Sequence, residues 1–117
     1  MPAYIAFLMD IRDHAAFSGY ARAAAPTYGA FRGHIALRGP IVGVIEGDLA
    51  VEPDTRLVVL EFPSLEDARA WWESDEYRPL VELRRPPVAD SRAFLVDGID
   101  LGPPGPPAAP RATPPTR

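Results

Sequence analysis

Strand-forming residues recur at a period of two in four separate segments of the chain, which predicts four β-strands. The segments are Ala3–Ile11, His34–Arg38, Arg56–Phe62 and Ser91–Val96. After the second segment, Gly39-Pro40 indicates a turn, and Ile41–Glu46 is expected to pair back across it.

Helical patterns separate these strands. The first predicted helix runs from His14 to about Ala25, where Pro26 should interrupt it, and Thr27–Phe31 can add a final turn. The others run from Ser64 through Trp72 and from Pro79 to about Arg84. Asp13 and Ser64 can cap the first two helices. The resulting order, β-α-β-β-α-β, predicts an α+β protein with the ferredoxin-like fold, a four-stranded antiparallel sheet with its helices on one face.

Both faces of the predicted sheet are apolar. In the first strand Ile5, Phe7 and Met9 point to one side, and Tyr4, Ala6 and Leu8 point to the other. Two helices can cover only one face, and a solvated second face would show a cleaner alternation of apolar and polar residues. Because the uncovered face would be a large apolar patch, we predict a homodimer that buries it by a two-fold contact.

The composition excludes several kinds of chemistry. All 12 basic residues are arginines, and the chain has no lysine, cysteine, asparagine or glutamine. A thiolate nucleophile, a lysine Schiff base, a disulfide and a cysteine-ligated metal are therefore impossible. Neither His14 nor His34 has a metal-ligand neighbour at the usual spacing, so we expect no metal and no cofactor. Proton transfer by histidine, carboxylate or tyrosine is the chemistry that remains.

Charge and hydropathy bear on partners and location. Residues 1–100 hold 10 arginines and all 16 acidic residues, a net charge of 10 − 16 = −6, which disfavours nonspecific binding of nucleic acid. The apolar run Ala3–Met9 is too short to span a bilayer, and no basic residue precedes it. We therefore expect a cytoplasmic protein without membrane contact.

The composition changes sharply at Gly102. From there the chain has seven prolines in 16 residues and no large apolar side chain. Such a segment cannot bury enough apolar surface to offset the entropy of ordering it. We predict a folded domain over residues 1–101 and a disordered, proline-rich tail over residues 102–117.

Several motifs resemble the DUF1330 domain family. They are MPAY at Met1–Tyr4, LVVLEFPSLEDARAWW at Leu57–Trp72, SDEYRPL at Ser74–Leu80 and VDG at Val96–Gly98. The resemblance covers about residues 2–99. It implies a dimeric α/β barrel, in which two ferredoxin-like protomers pair sheet to sheet around a central space, and it implies no particular activity. The sequence departs from the family's usual glycine turns at Phe31-Arg32-Gly33 and at Arg38-Gly39-Pro40.

Glu61 is the first catalytic candidate. It shares the parity of Val59 near the end of the third strand, and partial burial on that face would suit it to act as a general base. The structural alternative is an ion pair with an arginine such as Arg38 or Arg92. His34 is the second catalytic candidate, and it is expected to share one face of its strand with Arg38.

Four residues are candidates for substrate binding: Arg38, Trp72, Tyr77 and Arg92. Trp71 and Trp72 differ by about 100° around the helix, so one should face the core and the other a pocket rim or the dimer seam. Tyr77 is also expected to pack, with its hydroxyl hydrogen-bonded. Arg84-Arg85 is interpreted as a solvated helix end.

Two functions from different classes follow. The first is a cofactor-independent enzyme that transfers a proton on a hydrophobic small molecule in the barrel chamber, in an isomerisation, cyclisation or oxygenation. The second is a non-catalytic dimer that binds a small molecule or acts as an accessory protein. The enzyme function rests partly on analogy with the chemistry of proteins that share this fold.

Overall fold

The computed structural model describes residues 1–99 and confirms the ferredoxin-like fold. The elements in chain order are β1 (Ala3–Ile11), α1 (His14–Ala30), β2 (His34–Pro40), β3 (Thr55–Phe62), α2 (Leu65–Trp72), a 3₁₀ helix (Arg78–Arg84) and β4 (Ala89–Asp97). The strands form one antiparallel sheet in the order β2-β3-β1-β4. The domain boundary predicted at residue 101 and the predicted tail over residues 102–117 lie outside the described residues.

Both α-helices begin where the sequence indicates. The Asp13 carboxylate accepts the backbone N–H of Ala16 at 3.0 Å, and the Ser64 hydroxyl accepts the backbone N–H of Asp67 at 3.1 Å. These contacts satisfy N–H groups of the first turn, which have no partner within the helix.

The first helix continues through Pro26 to Ala30, so the predicted interruption is wrong. Pro26 is exposed, and the carbonyl that loses its N–H donor can therefore be hydrated. The next turn is tied to the core, because the Thr27 hydroxyl donates to the carbonyl of Ala24 at 2.6 Å and accepts the indole N–H of Trp71 at 3.0 Å. The local bond to Ala24 and the tertiary bond to Trp71 together hold this turn in helical geometry.

The hydrophobic core lies between the helices and one face of the sheet, which we call the helix side; the opposite face is the open face. In β1, Ala3, Ile5, Phe7, Met9 and Ile11 are buried on the helix side, and Tyr4, Ala6, Leu8 and Asp10 are half-buried on the open face. Trp71 is completely buried, with its ring centroid 4.0 Å from that of Tyr77 and 5.5 Å from that of Phe62. Trp71 is thus the tryptophan that faces the core.

The strand β2 departs from the prediction in two ways. It pairs directly with β3, and residues 41–54 form an irregular connection instead of the expected strand Ile41–Glu46. The backbone N–H of Ile41 donates to the carbonyl of Thr55 in β3 at 2.9 Å, so the chain continues along β3 after Pro40 instead of turning back onto the free outer edge of β2. The register also shifts between Ile35 and Leu37, so Ala36 is an extra residue in a β-bulge.

Candidate functional site

Three polar side chains align across the open face near one end of the sheet. The strand registers place Tyr4 of β1 and His34 of β2 on either side of Glu61 of β3. Nε2 of His34 lies 3.8 Å from a carboxylate oxygen of Glu61, which is an ion-pair distance when the imidazole is protonated. We call these three residues the polar row.

The polar row combines an acceptor with a donor. The side chain of Glu61 is 34% exposed and that of His34 is 62% exposed, so a small molecule on this face can reach both. Partial burial, together with the neighbouring Glu61 carboxylate, raises the pKa of the Tyr4 phenol. Tyr4 therefore remains protonated at neutral pH and can donate a hydrogen bond.

The sequence placed Tyr4 on this face but did not indicate it as a site residue. Its parity in β1 was visible, but its position opposite Glu61 depends on the register between β1 and β3. Counting back from the two strand ends at Ala3 and Phe62, which pair in the structure, would have placed Tyr4 and Glu61 together.

Apolar residues extend the open face beyond the polar row. The neighbouring register position brings together Leu37, Val59, Ala6 and Phe94, and Val96 lies beside Tyr4 on β4. Phe94 is 52% exposed and Val96 is 46% exposed. The polar row therefore borders an accessible apolar surface.

Arg92 lies on the open face but far from Glu61. It pairs with Leu8, four residues along β1 from Tyr4, which corresponds to about 13 Å at the rise of a β-strand. An ion pair between Glu61 and Arg92 within one chain, which was one structural alternative, is therefore ruled out.

Arg38 lies on the helix side, so the expectation that it shares a face with His34 is wrong. Arg38 pairs with Val58, whereas His34 pairs with Glu61, and these partners have opposite parity in β3. The bulge at Ala36 causes the reversal, because one extra residue moves every later side chain to the other face. Arg38 is therefore also excluded as the ion-pair partner of Glu61.

Trp72 and Tyr77 also lie on the helix side, away from the polar row. Tyr77 is completely buried, and its hydroxyl is 2.8 Å from that of Tyr20, which confirms the expected packing role. Trp72 is half-buried and lines two cavities beside β4, as expected for the tryptophan at a pocket rim. Arg84, which was interpreted as solvated, is buried among these rings.

Metal-ligand clusters and membrane-spanning helices are both absent from the described range. Residues 1–99 contain no group of three or more histidine, aspartate or glutamate side chains placed to hold a metal ion. In the same range no helix is long and apolar enough to cross a bilayer.

Solved structures share the fold at low sequence identity. A protein of unknown function from Rhodopseudomonas palustris is 20% identical, with a TM-score of 0.66 over 84% of this chain and 82% of its own. SnoaB, a cofactor-independent oxygenase from Streptomyces nogalater, is 9% identical, with a TM-score of 0.59 over 84% of this chain and 93% of its own. A dimeric ferredoxin-like protein of unknown function from Thermobifida fusca is 16% identical, with a TM-score of 0.54 over 83% and 91%. At these identities the likeness shows the fold alone.

The family is shown by the sequence itself. None of the curated proteins matches this chain. The family model described as a domain of unknown function, DUF1330, matches residues 2–99. This match spans every helix and strand of the described range and, apart from Met1, includes the motifs that carry the resemblance. The chain therefore belongs to the DUF1330 family.

Proposed function

We propose that the protein is a homodimer in which two open faces pack together. Leu37, Phe94 and Val96 leave apolar surface on this face, and half of the side chain or nearly so is exposed in each. In the connection between β2 and β3, Val42 and Ile45 are almost fully exposed. Apolar surface of this extent is typical of an interface, and the dimeric protein from Thermobifida fusca supports a dimer by analogy of fold.

Within this dimer we propose a proton-transfer enzyme that acts without a cofactor on an apolar small molecule. The polar row carries the proposal, because it joins a carboxylate base, a protonated phenol and an imidazole beside an apolar surface. Glu61 would accept a proton from carbon, Tyr4 would donate a hydrogen bond to the oxyanion that forms, and His34 would contact the Glu61 carboxylate and orient it. The fold shared with SnoaB, a cofactor-independent oxygenase, supports this reading by analogy.

Deuterium exchange tests the proposed chemistry without knowledge of the natural substrate. The protein is incubated in D₂O with a panel of apolar ketones and phenols, and mass spectrometry measures deuterium at their acidic C–H positions. Glu61→Gln should lower the exchange rate by about 100-fold or more, since it removes the base but nearly keeps its shape. Glu66→Gln, an exposed carboxylate on α2, is the matched control and should leave the rate unchanged. Equal exchange by the wild type and by Glu61→Gln would contradict a role for Glu61.

One observation favours a second function, a dimer that binds a small molecule without transforming it. Arg38, Trp72 and Tyr77 lie on the other side of the sheet from Glu61. An active site usually gathers more convergent polar groups than the polar row offers. Native mass spectrometry of the purified protein would favour this function if a metabolite co-purifies unchanged and Glu61→Gln still retains it.

A further inference from the structure

Arg84 is a buried cation without an acidic partner. It is 7% exposed, and no aspartate or glutamate among residues 1–99 lies within ion-pair distance of it. Its Nε donates to the Tyr77 hydroxyl at 3.2 Å, which is the one hydrogen bond that its side chain makes in the described range. The outer nitrogens of the guanidinium group keep their donors available.

Aromatic rings surround the guanidinium group. Its central carbon lies 5.3 Å from the ring centroid of Phe7, 5.9 Å from that of Tyr20 and 5.8 Å from that of Trp72. These faces attract a cation but supply no negative charge. Burial of an arginine is unfavourable unless an anion or a full set of acceptors compensates for the lost hydration. A bound anion would therefore stabilise the buried charge of Arg84.

A cavity of about 460 Å³ opens beside Arg84 on the helix side of β4. Its wall includes Ser91, whose hydroxyl oxygen is buried and has no hydrogen-bond partner among residues 1–99. Arg78 also lines it, with its guanidinium carbon 5.6 Å from the Trp72 ring centroid and no ion pair in the described range. Arg85 lines the cavity too, but its Nε is paired with a carboxylate oxygen of Glu82 at 3.3 Å. Of the three arginines around this space, Arg78 and Arg84 therefore have no ion pair among residues 1–99, and the unsatisfied hydroxyl of Ser91 lies in the same wall.

A mainly apolar cavity of about 230 Å³, whose lining also includes Arg69 and Glu73, adjoins the first one. Both are lined by Trp72 and Ala93, and the walls of the second include Ile5, Ala68 and Leu95. A molecule that lies against Trp72 can therefore place a charged end next to Arg84 and an apolar body next to Leu95.

We propose that this groove binds an organic carboxylate with an aromatic or aliphatic body. A carboxylate suits the site because the planar guanidinium group of an arginine can hold its two oxygens with parallel hydrogen bonds. The unsatisfied hydroxyl of Ser91 lies in the same wall, and the rings of Phe7 and Trp72 flank the guanidinium group of Arg84. The groove lies on the opposite side of the sheet from the polar row, so it is a separate site and does not depend on the function proposed there.

Isothermal titration calorimetry of the full chain tests this site with three probes: phenylacetate, cinnamate and octanoate, each compared with its neutral amide. At least one acid should bind, and its amide should bind at least 10-fold more weakly, because the amide lacks the charge that Arg84 requires. Inorganic phosphate should compete poorly, since it has no apolar body. Absence of binding by all three acids, or equal binding of acid and amide, would overturn the proposal.

Variants locate the binding site. Ser91→Ala should lower the affinity for the acid by about 3- to 10-fold, which is the usual effect of losing one hydrogen bond. Arg78→Gln should lower this affinity by a similar factor. Arg84→Met, which removes the charge but keeps much of the apolar stem, should abolish binding while circular dichroism remains unchanged. Arg22→Gln, an exposed arginine that lines a different cavity, is the control and should bind as the wild type does. If Ser91→Ala and Arg78→Gln both bind as tightly as the wild type, the acid lies elsewhere and the proposal is wrong.

Discussion

Replacement of Trp71 by alanine should remove a large part of the stability of the domain. The indole is completely buried and packs against Phe62, Tyr77 and Tyr28, at centroid distances of 5.5, 4.0 and 6.3 Å. Burial of about 200 Å² at about 25 cal/mol per Å² corresponds to about 5 kcal/mol, which agrees with the 3–5 kcal/mol usual for loss of a buried aromatic side chain. The indole N–H bond to Thr27 is lost as well.

The neighbouring tryptophan provides the matched comparison. Trp72 is half-buried, so Trp72→Ala should lower the free energy of unfolding by roughly half as much or less. Urea unfolding, followed by circular dichroism at one protein concentration, measures both variants against the wild type. Equal losses for Trp71→Ala and Trp72→Ala, or a larger loss for Trp72→Ala, would refute the assignment of Trp71 to the core.

Two further predictions concern close packing and pH. Gly33→Ala should destabilise the domain by about 1–3 kcal/mol in the same urea assay, because its Cβ would lie 2.5 Å from the completely buried ring of Phe62, whereas Gly29→Ala, with open space around it, should not destabilise it. Burial and the adjacent Tyr77 hydroxyl raise the pKa of Tyr20 above its usual 10.0. The contribution of Tyr20 to the free energy of unfolding is therefore fully present below pH 10, and above that pH it declines by about 1.4 kcal/mol per pH unit. The unfolding free energy of Tyr20→Phe should therefore fall less steeply above pH 10 than that of the wild type, and parallel curves would contradict the burial of this hydroxyl.

The order of elements could be predicted because it depends on local patterns. Period-two alternation gave the strands, and the caps at Asp13 and Ser64 gave the helix starts within a residue or two. The failure at Pro26 has a tertiary cause, because the contact of Thr27 with Trp71 joins residues 44 positions apart. Propensity alone does not report such contacts.

The candidate site could be predicted only in part. Glu61 and His34, the two catalytic candidates, lie together on the open face, but the bulge at Ala36 moved Arg38 to the other side of the sheet. Such a bulge has no clear mark in an edge strand, and a single extra residue reverses every face assignment after it. Arg84 was misjudged for a related reason. A charged residue at a helix end is normally solvated, and its burial becomes visible only when the aromatic rings from three other elements are placed around it.

The oligomeric state of Val59→Asp tests the central claim, that the open face is buried against a second copy. Val59 is half-buried in the middle of that face, opposite Ala6 and Leu37. Burial of an unpaired carboxylate in the dimer interface would cost several kcal/mol. Ala70→Asp is the control, because it places the same charge on the exposed side of α2. Sedimentation equilibrium should give twice the protomer mass for the wild type and Ala70→Asp, and the protomer mass for Val59→Asp with its circular dichroism unchanged. A wild type that sediments as a monomer, or a Val59→Asp variant that remains a dimer, would contradict the claim.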